Sequence, residues 1–288
     1  MINPMHLSMR IPISWPTLLM VASLSALDGC ADNSVVAEKT PSKPAAEAPK
    51  TLSQPVNHQN LSVGAKLLRS GQFLDAEIVL RALLVEQPQC ARGEFLLGVA
   101  VMKQKKYSQA RPLLESSLAR DQDFAERAQV DHFIGWCCYY LGDLDSAKRA
   151  FQSHVGTNPT ADDSYFGLGV IAIDEDRMGD AELALGRAIE LIGPHPARSR
   201  DRAKCLARLG DVAVRKDKLD EALALYEEAS QLWPDHYEVW GKIARVYDAL
   251  LRPVEAESAR ATQHEAMQRV GRAAPPESAP ESAPGSAP

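Results

Sequence analysis

Residues 206–234 read LARLGDVAVRKDKLDEALALYEEASQLWP. The stretch holds no acid–base pair, metal cluster or glycine-rich loop, yet it spaces Gly210, Ala222, Tyr226 and Pro234 at offsets that recur elsewhere. Set in register, Gly64, Gly98, Gly135, Gly169, Gly210 and Ala244 form one column. Ala76, Ala110, Ala147, Ala181, Ala222 and Ala256 form a second, always twelve residues later. Successive steps are 34, 37, 34, 41 and 34 residues in both columns. Two columns sharing the same unequal steps mark an internal repeat.

The spacing also says what each unit is. Apolar residues at −1 and +3 from the column, such as Leu209 and Ala213, lie on one stripe of a helix. A polar turn follows, KDKLD before Glu221 and LGDLD before Ser146. A second helix then carries Ala222, Tyr226 and Ala229 at offsets of four and three. Small residues permit two helix axes to approach, and the larger Tyr226 fills the adjoining space. Pro234 cannot continue the helix and closes the unit. Each unit is thus a helical hairpin whose apolar face only its neighbours can bury. The fold class expected is all-α.

The pattern resembles the tetratricopeptide repeat, with a Trp-x-x-Leu-Gly-x-x-Tyr helix, then Ala-x-x-x-Phe, then Pro, every 34 residues. The sixth unit is nearly literal in Trp240, Ile243, Ala244 and Tyr247, and the third gives Ile134, Gly135, Ala147, Phe151 and Pro159. The first has Gly64, Ala76, Leu80, Leu83 and Pro88, and the fourth Tyr165, Leu168, Gly169, Ala181, Leu185 and Ala188. The second, with Leu97, Gly98, Ala110 and Leu114, carries an unusual Pro112, which Ser108 as N-cap would place near the first helical turn. The resemblance implies a right-handed superhelical solenoid of six hairpins over residues 57–268. The extra residues of the 41-residue step fall in LIGPHPARSRD, and Glu257, Arg260 and Gln263 give the last helix a polar, capping outer face.

The two ends read differently. From Met9 the chain runs MRIPISWPTLLMVASLSALDGC, a basic residue and then an apolar stretch too short for a comfortable membrane span. Its end, Leu27-Asp28-Gly29-Cys30, resembles the lipobox of bacterial lipoproteins, with Asp28 where a small residue is usual. By that resemblance residues 1–29 are a signal peptide and Cys30 is the lipidated N-terminus; Ala31 after it suits an outer membrane. The alternatives are a plain secretory signal and an uncleaved anchor. Residues 30–56 read as a disordered tether, and 269–288, ending APPESAPESAPGSAP, as a disordered tail. The expected place is outside the cytoplasm, held to the bacterial membrane by lipid and facing the periplasm or the exterior.

Net charge is −6, which does not suit nucleic-acid binding. Cys137 and Cys138 are adjacent, without zinc or redox spacing, and Cys90 and Cys205 are far apart in the array. The histidines from His58 to His264 share no i,i+4 pair. The repeats use every long segment, so no enzyme, metal or cofactor is expected.

In the resembled family, positions −6, −3, +1, +4 and +5 from the column line the concave surface. Here they hold Arg92, Phe95, Val99, Met102 and Lys103, then Gln129, His132, Trp136, Tyr139 and Tyr140, then Asp163, Phe166, Val170, Ile173 and Asp174. The last two units turn polar around Lys204, Arg208, Asp211, Arg215, Glu238, Arg245 and Asp248. The candidate partner-binding residues are Phe95, Met102, His132, Trp136, Tyr139, Tyr140, Phe166, Lys204, Arg208 and Arg215. The competing reading packs the aromatic ones inside, because FIGWCCYYL is apolar nearly all round. The family's clamp for chaperone C-termini is matched only at Lys204 and Arg208, so that ligand is not expected. The function implied is a non-catalytic adaptor binding a peptide or helix of an envelope protein. The alternative is a self-associating array that organises envelope complexes.

Overall fold

The computed structural model describes residues 58–273. The leader, Cys30, the tether and the end of the tail lie outside the described residues. Within them twelve α-helices pair into six hairpins: α1 (His58–Arg69) with α2 (Phe73–Glu86), α3 (Ala91–Lys103) with α4 (Tyr107–Ala119), and α5 (Val130–Tyr140) with α6 (Leu144–Thr157). They continue as α7 (Asp162–Asp174) with α8 (Met178–Ile192), α9 (Ser199–Arg215) with α10 (Leu219–Leu232), and α11 (Tyr237–Ala249) with α12 (Pro253–Ala273). Each hairpin packs on the next, giving the all-α superhelical solenoid that the repeat spacing predicts.

The column is small because of what faces it. A methyl group on Gly64, Gly98, Gly135 or Gly169 would stand 2.6, 2.8, 2.6 or 2.6 Å from Leu80, Leu114, Phe151 or Leu185, always the residue sixteen positions on. Gly210 faces Tyr226 in the same way. Phe151 is shared, since its other edge lies 2.6 Å from the position a methyl on Gly167 of the next hairpin would take. In the last unit the sixteenth residue is Arg260, which turns out to Asp248 at 2.5 Å, and there the column tolerates Ala244.

The turn inside each hairpin has one construction. Seven residues after the column, Gly71, Lys105, Gly142, Asp176, Asp217 and Leu251 all adopt positive φ. Around each, two bonds close the first helix, as in Gly71 N to Leu68 O at 3.1 Å and Gln72 N to Leu67 O at 2.9 Å. This is the Schellman ending, with its left-handed residue just past the helix. Between hairpins, Pro88, Pro159 and Pro234 occupy the second position of a turn closed by Cys90 to Gln87, Ala161 to Asn158 and His236 to Trp233.

Two local expectations need correction. Ser108 is not an N-cap: α4 begins at Tyr107, so Pro112 lies beyond the first turn, where its missing N–H would have met the Ser108 carbonyl. Gln263 does not face solvent freely but packs its amide against Gly241. The long step is divided between a 3-10 turn at Pro196–Arg198 and an α9 of 17 residues.

The buried apolar residues form two clusters. One runs from Leu61 to Val212 and the other from Ala203 to Ala259. Helix α9 serves both, with Cys205 and Val212 facing the first and Leu206 and Ala213 the second.

Candidate functional site

From α1 to α9, consecutive first helices approach one another more closely than consecutive second helices do. The side on which they crowd is the inner face of the array, and the candidate residues lie along it. Whether each side chain looks into the groove or between helices depends on the next hairpin.

For most of the aromatic group the next hairpin covers the ring. Phe95 is 2% exposed and packs on Phe124 and Phe133 at 5.7 and 5.5 Å between centroids. Trp136, 7% exposed, meets Phe151 at 5.2 Å and Phe166 at 6.1 Å, and Phe166 is itself 7% exposed. Met102 and His132 are buried as well. These five therefore belong to the first core cluster or its lining. The Trp136 indole N–H is buried without a partner.

Two aromatics reach the surface. Tyr139 is half-buried and donates its hydroxyl to Asp174 at 2.9 Å. Tyr140 is 43% exposed and stacks on Tyr107 with centroids 4.4 Å apart. The Arg208 charge acts on both tyrosines, which brings α9 to the same part of the face.

The polar end is a network rather than a row of free charges. Lys204 donates to Asp201 at 2.9 Å, and Arg208 pairs with Asp211 at 3.1 Å. Asp211 also accepts from Lys242 at 2.7 Å and from the Tyr226 hydroxyl at 2.8 Å. Burial alone would push its carboxyl up, but Lys242 and Arg208 outweigh that and hold it down. Arg215 donates to the Ile173 carbonyl at 2.8 Å and stands 3.5 Å from Asp176.

Sequence reasoning missed a polar cluster behind the aromatic floor. The Ser164 hydroxyl lies 3.0 Å from His132 Nδ1 and 2.7 Å from His154 Nδ1, and all three residues are buried. A serine has one proton, so it donates to one imidazole and accepts from the other. Burial, then His154 and Lys103, push His132 down to about 3, so its ring is neutral. The two histidines come from the two helices of one hairpin, 22 residues apart, and Ser164 from the next hairpin, and no spacing rule joins them. Among the described residues no group of three or more His, Cys, Asp or Glu is placed to hold a metal ion. Cys90, Cys137, Cys138 and Cys205 are free and buried, and burial pushes Cys137 up to about 12.

Several solved structures share the architecture. A chain of the APC/C hetero-tetramer Cut9–Hcn1 superposes with a TM-score of 0.63 at 18% identity, over 73% of this chain and 40% of that one. The protein of the structure reported as the functional characterization of Pseudomonas aeruginosa pilF gives 0.56 at 16% identity, covering 75% and 92%. The C-terminal part of a TPR repeat-containing protein from Cytophaga hutchinsonii gives 0.54 at 16%, covering 73% and 80%. At these identities the likeness is one of fold. Among curated proteins none matches the chain in sequence. The model of the tetratricopeptide repeat matches residues 66–124, 139–197 and 207–269, well over half of the sequence. With six hairpins in the matching register, the chain belongs to the tetratricopeptide repeat family.

Proposed function

We propose that the chain is a non-catalytic adaptor that binds an extended or helical segment of another protein along its inner face. Repeats of this family generally bind protein partners. The observation that carries the reading for this chain is the strip where Tyr139 and Tyr140 feel the Arg208 charge, with Arg215 bonded to Ile173, next in sequence to the Asp174 that Tyr139 holds. There a stacked, exposed ring stands beside cations held in place by their own partners. Aromatic and arginine side chains arranged in this way are typical anchors of protein interfaces.

A photo-reactive residue in place of Tyr140 should cross-link a partner in the protein's own cells. The same residue in place of the exposed Leu183 on α8 should not. Cross-linking of one partner from Leu183 alone would place recognition on the outer face and reject the reading.

The adaptor is further proposed to sit at a bacterial membrane through lipid on Cys30, as the Leu27–Cys30 motif suggests. Among the described residues no helix is long and apolar enough to cross a membrane. Labelled fatty acid should enter the wild type and not Cys30→Ala; equal labelling would exclude Cys30 as the acceptor.

A further inference from the structure

Helix α2 is apolar on two opposite sides. Inward, Ala76, Leu80 and Leu83 are buried in the first core cluster. Outward, Leu74, Ile78 and Val85 are 65, 68 and 81% exposed, and Ala82 is exposed beside them. These four stand at fixed distances after the column residue Gly64, and the same positions in other hairpins are polar. The third has Asp145, Arg149 and Ser153 there, and the fifth Asp220 and Glu228. Of the six hairpins, the first alone carries an unbroken apolar row on this face. A helix apolar on both sides is normally covered on both. The row presents on the order of 400 Å² of apolar surface, the size at which a patch marks an interaction site.

We propose that this face is the contact between two copies of the chain, whose α2 helices pair antiparallel about a twofold axis between Val79 and Leu80. The register follows from the row itself. Leu74, Ile78, Arg81 and Val85 are spaced by four, three and four residues, the seam of a two-helix coil. Reversed on itself, the seam sets Leu74 on the partner's Val85, and Ile78 on the aliphatic stem of the partner's Arg81. Each Arg81, which already holds Glu77 at 2.7 Å, then comes within reach of the partner's Glu77 as well. Asp75 falls beside the partner's Ala82. A parallel pair would instead set Arg81 on Arg81 and Asp75 on Asp75, so the signs select the antiparallel one.

The area fits a second copy too. The two rows bury about 800 Å², and Ala82 with the Arg81 stems brings the total to about 1,000 Å², the lower end for a specific interface. A bilayer suits the face less, because Asp75, Glu77 and Glu86 rim it and anionic headgroups repel carboxylates. Pairing on the outer face leaves both inner faces open, so the dimer offers two binding surfaces to a partner with repeated segments. It does not depend on the inner face being the one that binds.

Sedimentation of the full chain over a range of concentrations should show monomer passing to dimer. Ile78→Glu should raise the dimer dissociation constant about 30-fold or more, whereas Leu183→Glu, at another exposed leucine on α8, should leave it unchanged. Both variants should melt as the wild type does, since neither side chain is packed. In a Cys30→Ala background, Leu74→Cys and Val85→Cys chains mixed together should form the mixed disulfide. Leu74→Cys alone should form none, because the two copies of position 74 stand about 16 Å apart along the pair. A wild type that stays monomeric at every concentration, or a dimer untouched by Ile78→Glu, would overturn the pairing. A disulfide from Leu74→Cys alone would overturn its antiparallel sense. A monomer that binds phosphatidylglycerol vesicles, and loses them on Ile78→Glu, would give the face to a bilayer and overturn the proposal.

Discussion

At Lys105, Asp176, Asp217 and Leu251 a side chain sits on backbone that favours glycine, while Gly71 and Gly142 fill the same place in two other units. A left-handed residue with a Cβ costs about 1–2 kcal/mol relative to the right-handed helix, and glycine escapes that cost. Leu251 is 87% exposed, so its side chain loses little packing when removed. Leu251→Gly should therefore raise stability by about 0.5–1 kcal/mol in urea unfolding, with a larger unfolded-state entropy as the opposing effect. A lower midpoint would contradict the geometry. The column behaves oppositely: Gly210→Leu drives a side chain into Tyr226 and should cost on the order of 1–3 kcal/mol. The column was legible in the sequence because steric exclusion leaves so few residue types. The left-handed position was legible only at its two glycines, since the Schellman bonds involve main chain alone and admit Lys, Asp or Leu at a tolerable cost.

Helix α5 shows where spacing ceases to inform. Its residues 133–141, FIGWCCYYL, are apolar nearly all round, so periodicity cannot separate the face turned to α6 from the face turned to the groove. The outcome is set by the neighbours: Phe151 from α6 and Phe166 from α7 close over Trp136, whereas Tyr140 is stacked by Tyr107 but stays exposed. Trp136→Ala should thus cost about 3–5 kcal/mol of stability, as a core truncation does. Tyr140→Ala should leave the melting temperature nearly unchanged while weakening partner binding. A Trp136→Ala protein as stable as wild type would remove that ring from the core. The same helix carries a pH dependence. Unfolded, His132 takes a proton near its ordinary value of 6.5; folded, burial keeps it neutral down to about 3. His154 is pushed down too, chiefly by burial. The unfolded chain then binds more protons between those values, so stability is full above about 6.5 and declines as pH falls toward 3. The slope is up to about 1.4 kcal/mol per pH unit for each histidine. Urea midpoints at successive pH values should fall less steeply for His132→Gln than for wild type above the carboxylate range; equal slopes would assign the effect elsewhere.

Across the whole molecule the repeat was readable end to end, but the division of its interior was not. Equal hairpins suggest one continuous core, whereas the structure has two apolar clusters that share α9 and touch through Ile189. The division falls at α9, whose Cys205 and Val212 face one cluster and Leu206 and Ala213 the other, just after the connection of residues 193–198. Stability in a solenoid is local to units and their interfaces. Tyr226→Ala should therefore speed hydrogen exchange in α9–α12 and leave α1–α6 protected. Uniform loss of protection would show a single cooperative unit instead.

That junction can also be regarded as one coil of a spring. What ties the fourth hairpin to the fifth includes a set of ionic clasps: Arg198 on Asp162, Lys216 on Glu182 at 2.7 Å, and Arg215 on the Ile173 carbonyl. Such partly exposed clasps weaken as ionic strength rises, as do their counterparts between the neighbouring hairpins, Lys148 on Glu175 and Lys242 on Asp211. Under a pull along its length, the stiffness of the array at the junction of residues 193–198 should depend on salt. Asp163 and Lys204 line a cleft beside that coil, so stretching the array would be felt on its inner face.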